Sequence, residues 1–269
     1  MNVVQSTLLA AAILISSACA NPSVRARDVP EIQDAATDTA PVSRSPDEPS
    51  GVKSDAAERY DDVVVRDPWE RYNRRIHRFN NVVDEYVLRP LAVGYSKAVP
   101  DALRSGVSRF FGNLNLPATA ANQTLQGHPV HALQSLGRFV VNSTVGVGGI
   151  LDLATRFGMP DYDEDDFGQT LAAWGWRDSC YLVMPLLGPR TVRDTVALVG
   201  DRALSPIGYV EDSGAANALQ LLQLVDGRAR WLPMDQDRRE AYDEYALVRD
   251  AWAQRRKYRV EQNLRGARN

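Results

Sequence analysis

The sequence contains few residues of the kinds that build disulfide frameworks or metal centres. Its 269 residues include two cysteines, Cys19 and Cys180, and three histidines. Two cysteines exclude a disulfide-rich scaffold, and lipidation of Cys19 would leave Cys180 as a small packed residue. His128 and His131 flank Pro129 without a third histidine nearby, so we predict no metal site and expect surface or capping positions for both.

Motifs for nucleophilic or phosphate chemistry are also missing. The segment Gly106–Phe110 lacks the second glycine of a nucleophile elbow, and Gly146–Gly149 is not followed by the Lys-Ser/Thr of a phosphate loop. Asp161, Asp163 and Asp165 resemble the start of an EF-hand. A calcium loop would need glycine at its sixth position and glutamate at its twelfth, where this chain has aspartate and alanine. We predict no catalytic residue and no cofactor, and weak calcium attraction by the carboxylates stays an alternative.

The charge balance gives no indication of a nucleic-acid partner. A formal net charge of -3 argues against nucleic acid as a partner, because phosphate binding usually shows as a basic domain. With 44% hydrophobic residues over this length, the chain can bury the core of one large domain.

The first informative segment is apolar and short. Residues 7–15 are too few for a membrane span, which needs roughly 20 apolar residues, but they suit a signal peptide over residues 1–18. The small residues that precede Cys19 indicate lipoprotein cleavage and acylation there. Ser16 stands where leucine is usual and residues 1–6 lack a basic residue, so an ordinary secretory signal is the alternative. Ala20 permits outer-membrane delivery by analogy with enterobacterial sorting.

Residues 19–65 are predicted to form the lipid anchor and a disordered tether. After Cys19 this stretch is rich in Asp, Ser, Pro, Ala and Glu and poor in aromatic residues. Such a composition cannot offset the conformational entropy lost on folding.

A folded body is predicted over residues 66–262. Asp67, Pro68 and Glu70 form the pattern of a helix start with a capping box. Apolar residues then recur at helical spacing from Trp69 to Tyr86. A second stripe on this helix consists of arginines, at Arg71, Arg74, Arg75 and Arg78. It is either a solvated face or a basic face among lipid phosphates at a membrane interface.

The rest of the body also has helical patterning. Further helices are predicted over 91–97, 101–111, 117–125, 129–142, 167–174, 191–204, 215–225 and 235–262. Glycine-rich residues 143–157 are expected to form a close-packed helical hairpin, and residues 263–269 a tail. The basic end of the last helix either is solvated or faces anionic lipid or an acidic partner. The fold class is therefore all-α, with many short amphipathic helices.

Ordered motifs along this body resemble those of the MlaA/VacJ family. They are Asp67–Arg74, Phe79-Asn80, Leu88-Arg89-Pro90, Gly112-Asn113-Leu114, Leu125-Gln126-Gly127, Asn142-Ser143-Thr144, Phe167–Leu171 and Pro185–Pro189. The likeness covers residues 67–206.

This resemblance implies a single ring-like helical body in the inner leaflet of the outer membrane, lipid-anchored at the periplasmic face. Members remove mislocalised phospholipid from the outer leaflet through an amphipathic channel and pass it to a soluble periplasmic carrier. The implied partners are phospholipid, an outer-membrane porin trimer, that carrier and, indirectly, an inner-membrane ABC transporter complex. The implied process involves no covalent chemistry.

Three residues carry over from the family to a lipid-channel or gating role. Phe79 and Asn80 match the Phe-Asn of the first body helix, and Gly175 matches a glycine of a loop that sets the channel conformation. Residues 176–180 differ from the glycine-rich segment that is usual in the family at this place. The flexibility that the family's loop has is therefore not carried over to this chain. Two other functions remain open: a structural envelope lipoprotein that braces a porin, and a periplasmic lipid-acting enzyme that uses the acidic loop.

Overall fold

A computed structural model describes residues 65–162 and 164–266 of the chain. The predicted signal peptide, Cys19 and nearly all of the predicted tether lie outside the described residues. Val65, which we had assigned to the tether, packs against the buried cluster of Tyr181, Val183 and Tyr245.

The described residues form helices joined by turns and one β-hairpin, so the predicted all-α class is confirmed with that one addition. The helices are α1 (Glu70–Val83), α2 (Arg89–Ala98), α3 (Asp101–Leu125), α4 (Pro129–Thr144), α5 (Leu153–Arg156), α6 (Phe167–Ala173), α7 (Val192–Leu204), α8 (Ser213–Ala229), α9 (Asp235–Glu240) and α10 (Glu244–Gly266). Strands β1 (Tyr181–Met184) and β2 (Gly188–Thr191) precede α7. A π-helical segment, Asp84–Leu88, joins α1 to α2, and 3₁₀ turns occupy Pro206–Tyr209 and Leu232–Met234.

The first helix begins where expected but is capped differently. The capping box at Asp67 is wrong: Trp69 occupies the N-cap position, with no side-chain capping bond. Asp67 instead accepts hydrogen bonds from Asn73 Nδ2 at 2.8 Å and from the Tyr245 hydroxyl. Asp67 thus ties the segment before α1 to α1 itself and to α10, and the local sequence gives no sign of the contact with α10.

Helix α3 runs unbroken through the predicted break at Gly112-Asn113 and through Pro117. Asn113 is buried and donates to Ser143 Oγ on α4 at 2.9 Å. A Cβ on Gly149 would lie 2.5 Å from the Asn113 Cβ, so this glycine permits a close approach to α3. The close packing predicted for the glycine-rich segment is confirmed, but turns and short α5 replace the predicted helical hairpin.

The C-terminal helix differs from expectation at both ends. The single helix predicted over 235–262 is wrong, because Ala241 has an extended backbone that separates α9 from α10. Asp243 then accepts a hydrogen bond from the Ala246 N–H (3.2 Å) in the first turn of α10. Helix α10 continues past the predicted body to Gly266, and Asn263 donates to Gln126 Oε1 (2.6 Å).

The hairpin is antiparallel, with Tyr181 opposite Thr191 and Met184 opposite Gly188. No hairpin is predicted from the sequence for this segment, which is apolar from Tyr181 to Leu187. Its turn places Leu186 at φ 63°, in the left-handed region that leucine rarely adopts. The turn therefore holds an exposed leucine in an unfavourable backbone conformation.

The body has an inverted polarity, by which we mean that polar side chains are buried while many large apolar side chains are exposed. In the part of the chain that the structure describes, no leucine is among the buried residues, although leucine is ordinarily one of the most buried types. Polar side chains such as Asn73, Gln123 and Arg138 are buried instead. None of the described helices combines the length and hydrophobicity needed to cross a bilayer.

Candidate functional site

Two asparagines on α1 bind the edge of β1. Asn73 Oδ1 accepts from the Val183 N–H at 2.8 Å, and Asn73 Nδ2 donates to the Tyr181 carbonyl at 3.3 Å. Asn80 lies seven residues later, two helical turns along the same face. Its Nδ2 donates to the Met184 carbonyl at 2.9 Å. Side chains of α1 thus provide hydrogen-bond partners for the backbone groups along the outer edge of β1.

Asn80 also holds the hairpin tip. The Leu186 N–H donates to Asn80 Oδ1 at 2.8 Å, which fixes the residue with the left-handed backbone. Phe79, beside it, is about half exposed, as are Leu186 and Leu187. The structure therefore gives Asn80 a concrete contact with the hairpin, while the channel or gating role of Phe79 and Asn80 stays a prediction.

Gly175 lies in a different loop, directly after α6. Its φ of 113° is suited to glycine, and an added Cβ would meet no atom within 4 Å. Backbone conformation, and not crowding, is what requires glycine there. Its neighbour Trp174 is exposed, and the indole N–H donates to the Leu125 carbonyl at 2.9 Å. The predicted role of Gly175 in setting a channel conformation stays a prediction.

The arginines of α1 do not share one environment. Arg71, Arg75 and Arg78 are exposed. Arg74 instead forms a two-bond ion pair with Asp243 (3.0 and 2.7 Å) and lies 4.5 Å above the Tyr245 ring. Hydrogen bonding by Arg74 lowers the pKa of Asp243 to about 2. Arg74 therefore connects α1 to the start of α10, and the interfacial role of this stripe stays a prediction.

A buried charge network that sequence patterns did not reveal connects α6, α7 and α10. Arg256 donates to Asp166 (2.6 and 2.8 Å) and to Asp194 (2.8 Å). Asp194 also accepts from Arg193 Nε at 3.1 Å. Burial would raise the pKa of Asp166, but the Arg256 guanidinium and the Gln169 amide keep it below its ordinary value. These partners are up to 90 residues apart, beyond the reach of helical periodicity.

The acidic loop is largely committed to structural contacts. Asp166 caps α6 by accepting from the Gln169 N–H at 2.8 Å. Asp165 accepts from Asn263 (2.7 Å), and Asp161 lies 3.4 Å from Arg138 Nε. Asp163 lies outside the described residues. Within residues 65–162 and 164–266, no cluster of three His, Cys, Asp or Glu side chains could hold a metal ion.

A cavity of about 410 Å³ opens between β2, α6, α7 and α10, and we call it the arginine cavity. It is lined by Asp166, Gly168, Leu187, Pro189, Arg190, Asp194, Ala197, Asp201, Trp252, Arg255, Arg256 and Arg259. Charged groups and apolar side chains from the hairpin thus face one space. The acidic loop and the family motifs point to Asp166, Gly168, Leu187 and Pro189, but no sequence pattern brings them together with the arginines of α10.

A second cavity, of about 540 Å³, lies on the other side of Arg259 and includes His128 and His131. His128 is buried, which contradicts the expected surface position, and it makes no side-chain capping bond although it is the N-cap residue of α4. Its ring lies 5.2 Å from that of His131, which stacks on Tyr162 at 4.1 Å. Burial lowers the pKa of His128, and the nearby His131 lowers it further.

Comparisons with known proteins agree on one family. The family model described as MlaA lipoprotein matches residues 65–259. The chain is 36% identical to an uncharacterized protein of Rickettsia bellii, over 73% of this chain and 78% of that protein. It is 35% identical to the intermembrane phospholipid transport system lipoprotein MlaA of Shigella flexneri, over 70% and 76% of the two chains. A structure solved to explain how bacterial outer-membrane lipid asymmetry is maintained superposes with a TM-score of 0.64 at 31% identity, covering 72% of this chain and 98% of that one.

Proposed function

We infer the function of this chain from its family, because it belongs to the MlaA lipoprotein family. Its relative in Shigella flexneri is named as a lipoprotein of an intermembrane phospholipid transport system. The chain is accordingly a membrane-associated lipoprotein that transports phospholipid between membranes. Its task is to maintain the lipid asymmetry of the outer membrane.

The observation that carries this function is the inverted polarity of the body. Along α4, Leu133, Leu136 and Val140 are exposed, whereas Ser135 and Arg138 on the opposite side are buried. Leu133 is 72% exposed, although a water-soluble helix would turn such a residue inward. Large exposed apolar surfaces mark contact with lipid or another protein. An apolar exterior around a polar interior suits a protein that lies in acyl chains and conducts a charged headgroup.

We place the protein at the periplasmic face of the outer membrane, attached through lipidated Cys19. The exposed leucines support contact between the body and acyl chains. Arg71, Arg75 and Arg78 are exposed and can reach lipid phosphates at the rim of the body. In this arrangement, mislocalised phospholipid leaves the outer leaflet through an amphipathic channel bordered by Phe79 and the hairpin.

The partners follow from the same proposal. A porin trimer would cover part of the exposed apolar surface. A soluble periplasmic carrier would receive the lipid and exchange it with an inner-membrane ABC transporter complex. A lipid-acting enzyme is less well supported, because Asp165 and Asp166 of the acidic loop already accept hydrogen bonds from Asn263 and Arg256.

The deciding measurement is the amount of phospholipid in the outer leaflet of a strain that lacks this chain. Transport predicts accumulation that the full chain reverses. Cys19→Ala should fail to reverse it while the protein is still exported. If lipid asymmetry is unchanged in the deletion strain, the transport function is wrong and a purely structural lipoprotein becomes the better description.

A further inference from the structure

The arginine cavity has more positive charge than its carboxylates neutralise. Four arginines and three aspartates line it. Arg256 already binds two of the carboxylates, Asp166 and Asp194, at 2.6 and 2.8 Å. Buried Arg193, which does not line the cavity, adds a second cation to Asp194 at 3.1 Å. Asp166 and Asp194 are therefore already paired, and none of the remaining arginines forms an ion pair with either of them.

Those remaining arginines are Arg190 on β2 and Arg255 and Arg259 on α10. Within the described ranges, none of the three forms an ion pair or a side-chain hydrogen bond. Arg190 Nε is buried and has no acceptor. A buried guanidinium donor without an acceptor is costly, so the cavity favours an occupant that accepts hydrogen bonds.

The third carboxylate of the cavity is Asp201, and the cavity still has one more arginine than it has carboxylates. Asp201 accepts a hydrogen bond from the Phe167 N–H at 2.8 Å and forms no ion pair with a described residue. Burial raises the pKa of Asp201 above its ordinary value, and the nearby charge of Asp166 raises it further, whereas the Phe167 N–H and the charges of Arg190 and Arg256 lower it.

We propose that the arginine cavity is a binding site for a phosphate group, held by Arg190, Arg255 and Arg259. Each guanidinium presents a planar fork of donors that matches phosphate oxygens. A carboxylate offers only two oxygens, whereas a phosphate offers enough acceptors for three separate arginines. The volume of about 410 Å³ lies within the range of about 300–1,000 Å³ common for small-ligand sites.

The apolar part of the lining indicates how a lipid would be oriented. Leu187 and Pro189 of the hairpin and Trp252 of α10 line the same cavity as the arginines. Leu187 is about half exposed, so an acyl chain could leave the cavity along the hairpin tip. The identification of the phosphate as part of a lipid headgroup rests on the proposed function, whereas the phosphate site itself does not.

The test uses the purified full chain in a non-ionic detergent and follows thermal unfolding. Three ligands are added at ionic strength matched with sodium chloride: sodium phosphate, glycerophosphoethanolamine and a long-chain phosphatidylglycerol mixed into the micelles. A ligand that binds the folded state raises Tm in proportion to the logarithm of its concentration. We expect all three to raise Tm, and Arg190→Gln/Arg259→Gln to weaken the apparent affinity at least tenfold.

The control variant is Arg202→Gln, which removes the same charge from an exposed position on α7 outside the cavity. Arg190→Lys should retain part of the affinity because it keeps charge but loses the fork. The double variant is expected to fold, since neither arginine forms a side-chain hydrogen bond or an ion pair with a described residue. If it does not fold, Arg255→Gln, at an exposed position, makes the same comparison.

If glycerophosphoethanolamine and phosphatidylglycerol bind more strongly than inorganic phosphate, the site is for a lipid headgroup. If inorganic phosphate binds more strongly, the site is for free phosphate. Absence of a Tm shift with all three ligands, or equal shifts in the double variant, overturns the proposal. The proposed transport function is tested separately by the deletion strain. If the purified chain binds phosphate but the outer-leaflet phospholipid of the deletion strain is unchanged, the transport function fails and the phosphate site stands.

Discussion

The backbone N–H of Leu186 donates a 2.8 Å hydrogen bond to the side-chain oxygen of Asn80, 106 residues earlier in the chain. One side chain of α1 thus holds the hairpin tip at its left-handed residue. The same contact makes the hairpin responsive to changes in α1, and it leads to the first prediction.

Asn80→Ala should loosen the hairpin without unfolding the body. The lost hydrogen bond is exposed and worth about 0.5–1.5 kcal/mol, so the Leu186 amide should exchange roughly 2- to 10-fold faster. Hydrogen exchange with mass spectrometry measures this. Asn81→Ala is the matched control, because Asn81 binds Glu244 and not the hairpin. Equal exchange rates at Leu186 in both variants would show that the Asn80 side chain does not hold the hairpin tip.

Leu186→Asn separates the backbone conformation of the tip from its apolar side chain. Asparagine tolerates the left-handed region better than leucine, so the melting temperature should stay the same or rise slightly. If the exposed leucine contacts lipid, the variant should still fail to restore lipid asymmetry in a deletion strain. Full restoration would show that the apolar tip is dispensable.

Arg256→Gln should be strongly destabilising. Arg256 is largely buried and bridges Asp166 and Asp194, so its removal leaves two carboxylates poorly compensated. Breaking a buried pair in this way costs about 3–5 kcal/mol. Urea unfolding in detergent measures the change. Arg255→Gln removes the neighbouring charge but should alter stability little in the absence of ligand, and a similar loss in both variants would refute the network.

The buried histidines predict sensitivity to mild acid. Burial lowers the pKa of His77 and of His128 from 6.5, so the unfolded chain binds protons more readily than the folded one. The free energy of unfolding should therefore decrease as the pH falls below 6.5, and this decrease ends below the folded-state pKa values. Each histidine can lower the free energy of unfolding by at most about 1.4 kcal/mol per pH unit.

Urea midpoints at pH 7.5 and 5.5 test this directly. His77→Gln/His128→Gln should lose less stability on acidification than the parent chain. An identical loss in both would mean that other groups govern the acid response.

Leu133→Asp tests the membrane-facing surface of α4. Leu133 is exposed, so an aqueous environment would leave folding unaffected by the change. Immersion in acyl chains would instead penalise the aspartate by about 2.5–3.5 kcal/mol at the centre of the bilayer, and by less near the interface. Vesicle flotation of the purified protein measures binding, with Gln254→Asp on α10 as the control at an exposed polar site. Unchanged flotation of Leu133→Asp would argue that this face contacts protein or water.

Several features follow from sequence alone because their causes are local. Helical periodicity identified α1, and ordered motifs identified the family, which the comparisons confirm. Local signals also misled: Asp67 has the pattern of a cap, and Gly112-Asn113 that of a break. In both cases burial of an amide side chain, Asn73 or Asn113, against a remote element outweighed a local preference.

The sequence by itself determined the fold class and the candidate residues, including Asn80 and the arginines of α1. Only the tertiary structure decided what those residues touch. It joined Arg74 to Asp243 across 169 positions and brought Arg190 and Arg259 to one cavity. Periodicity records which face of a helix a residue occupies, but pairing between distant elements depends on how those faces pack. The inverted polarity became visible only then, since an apolar stripe has the same spacing whether it faces a core or a membrane.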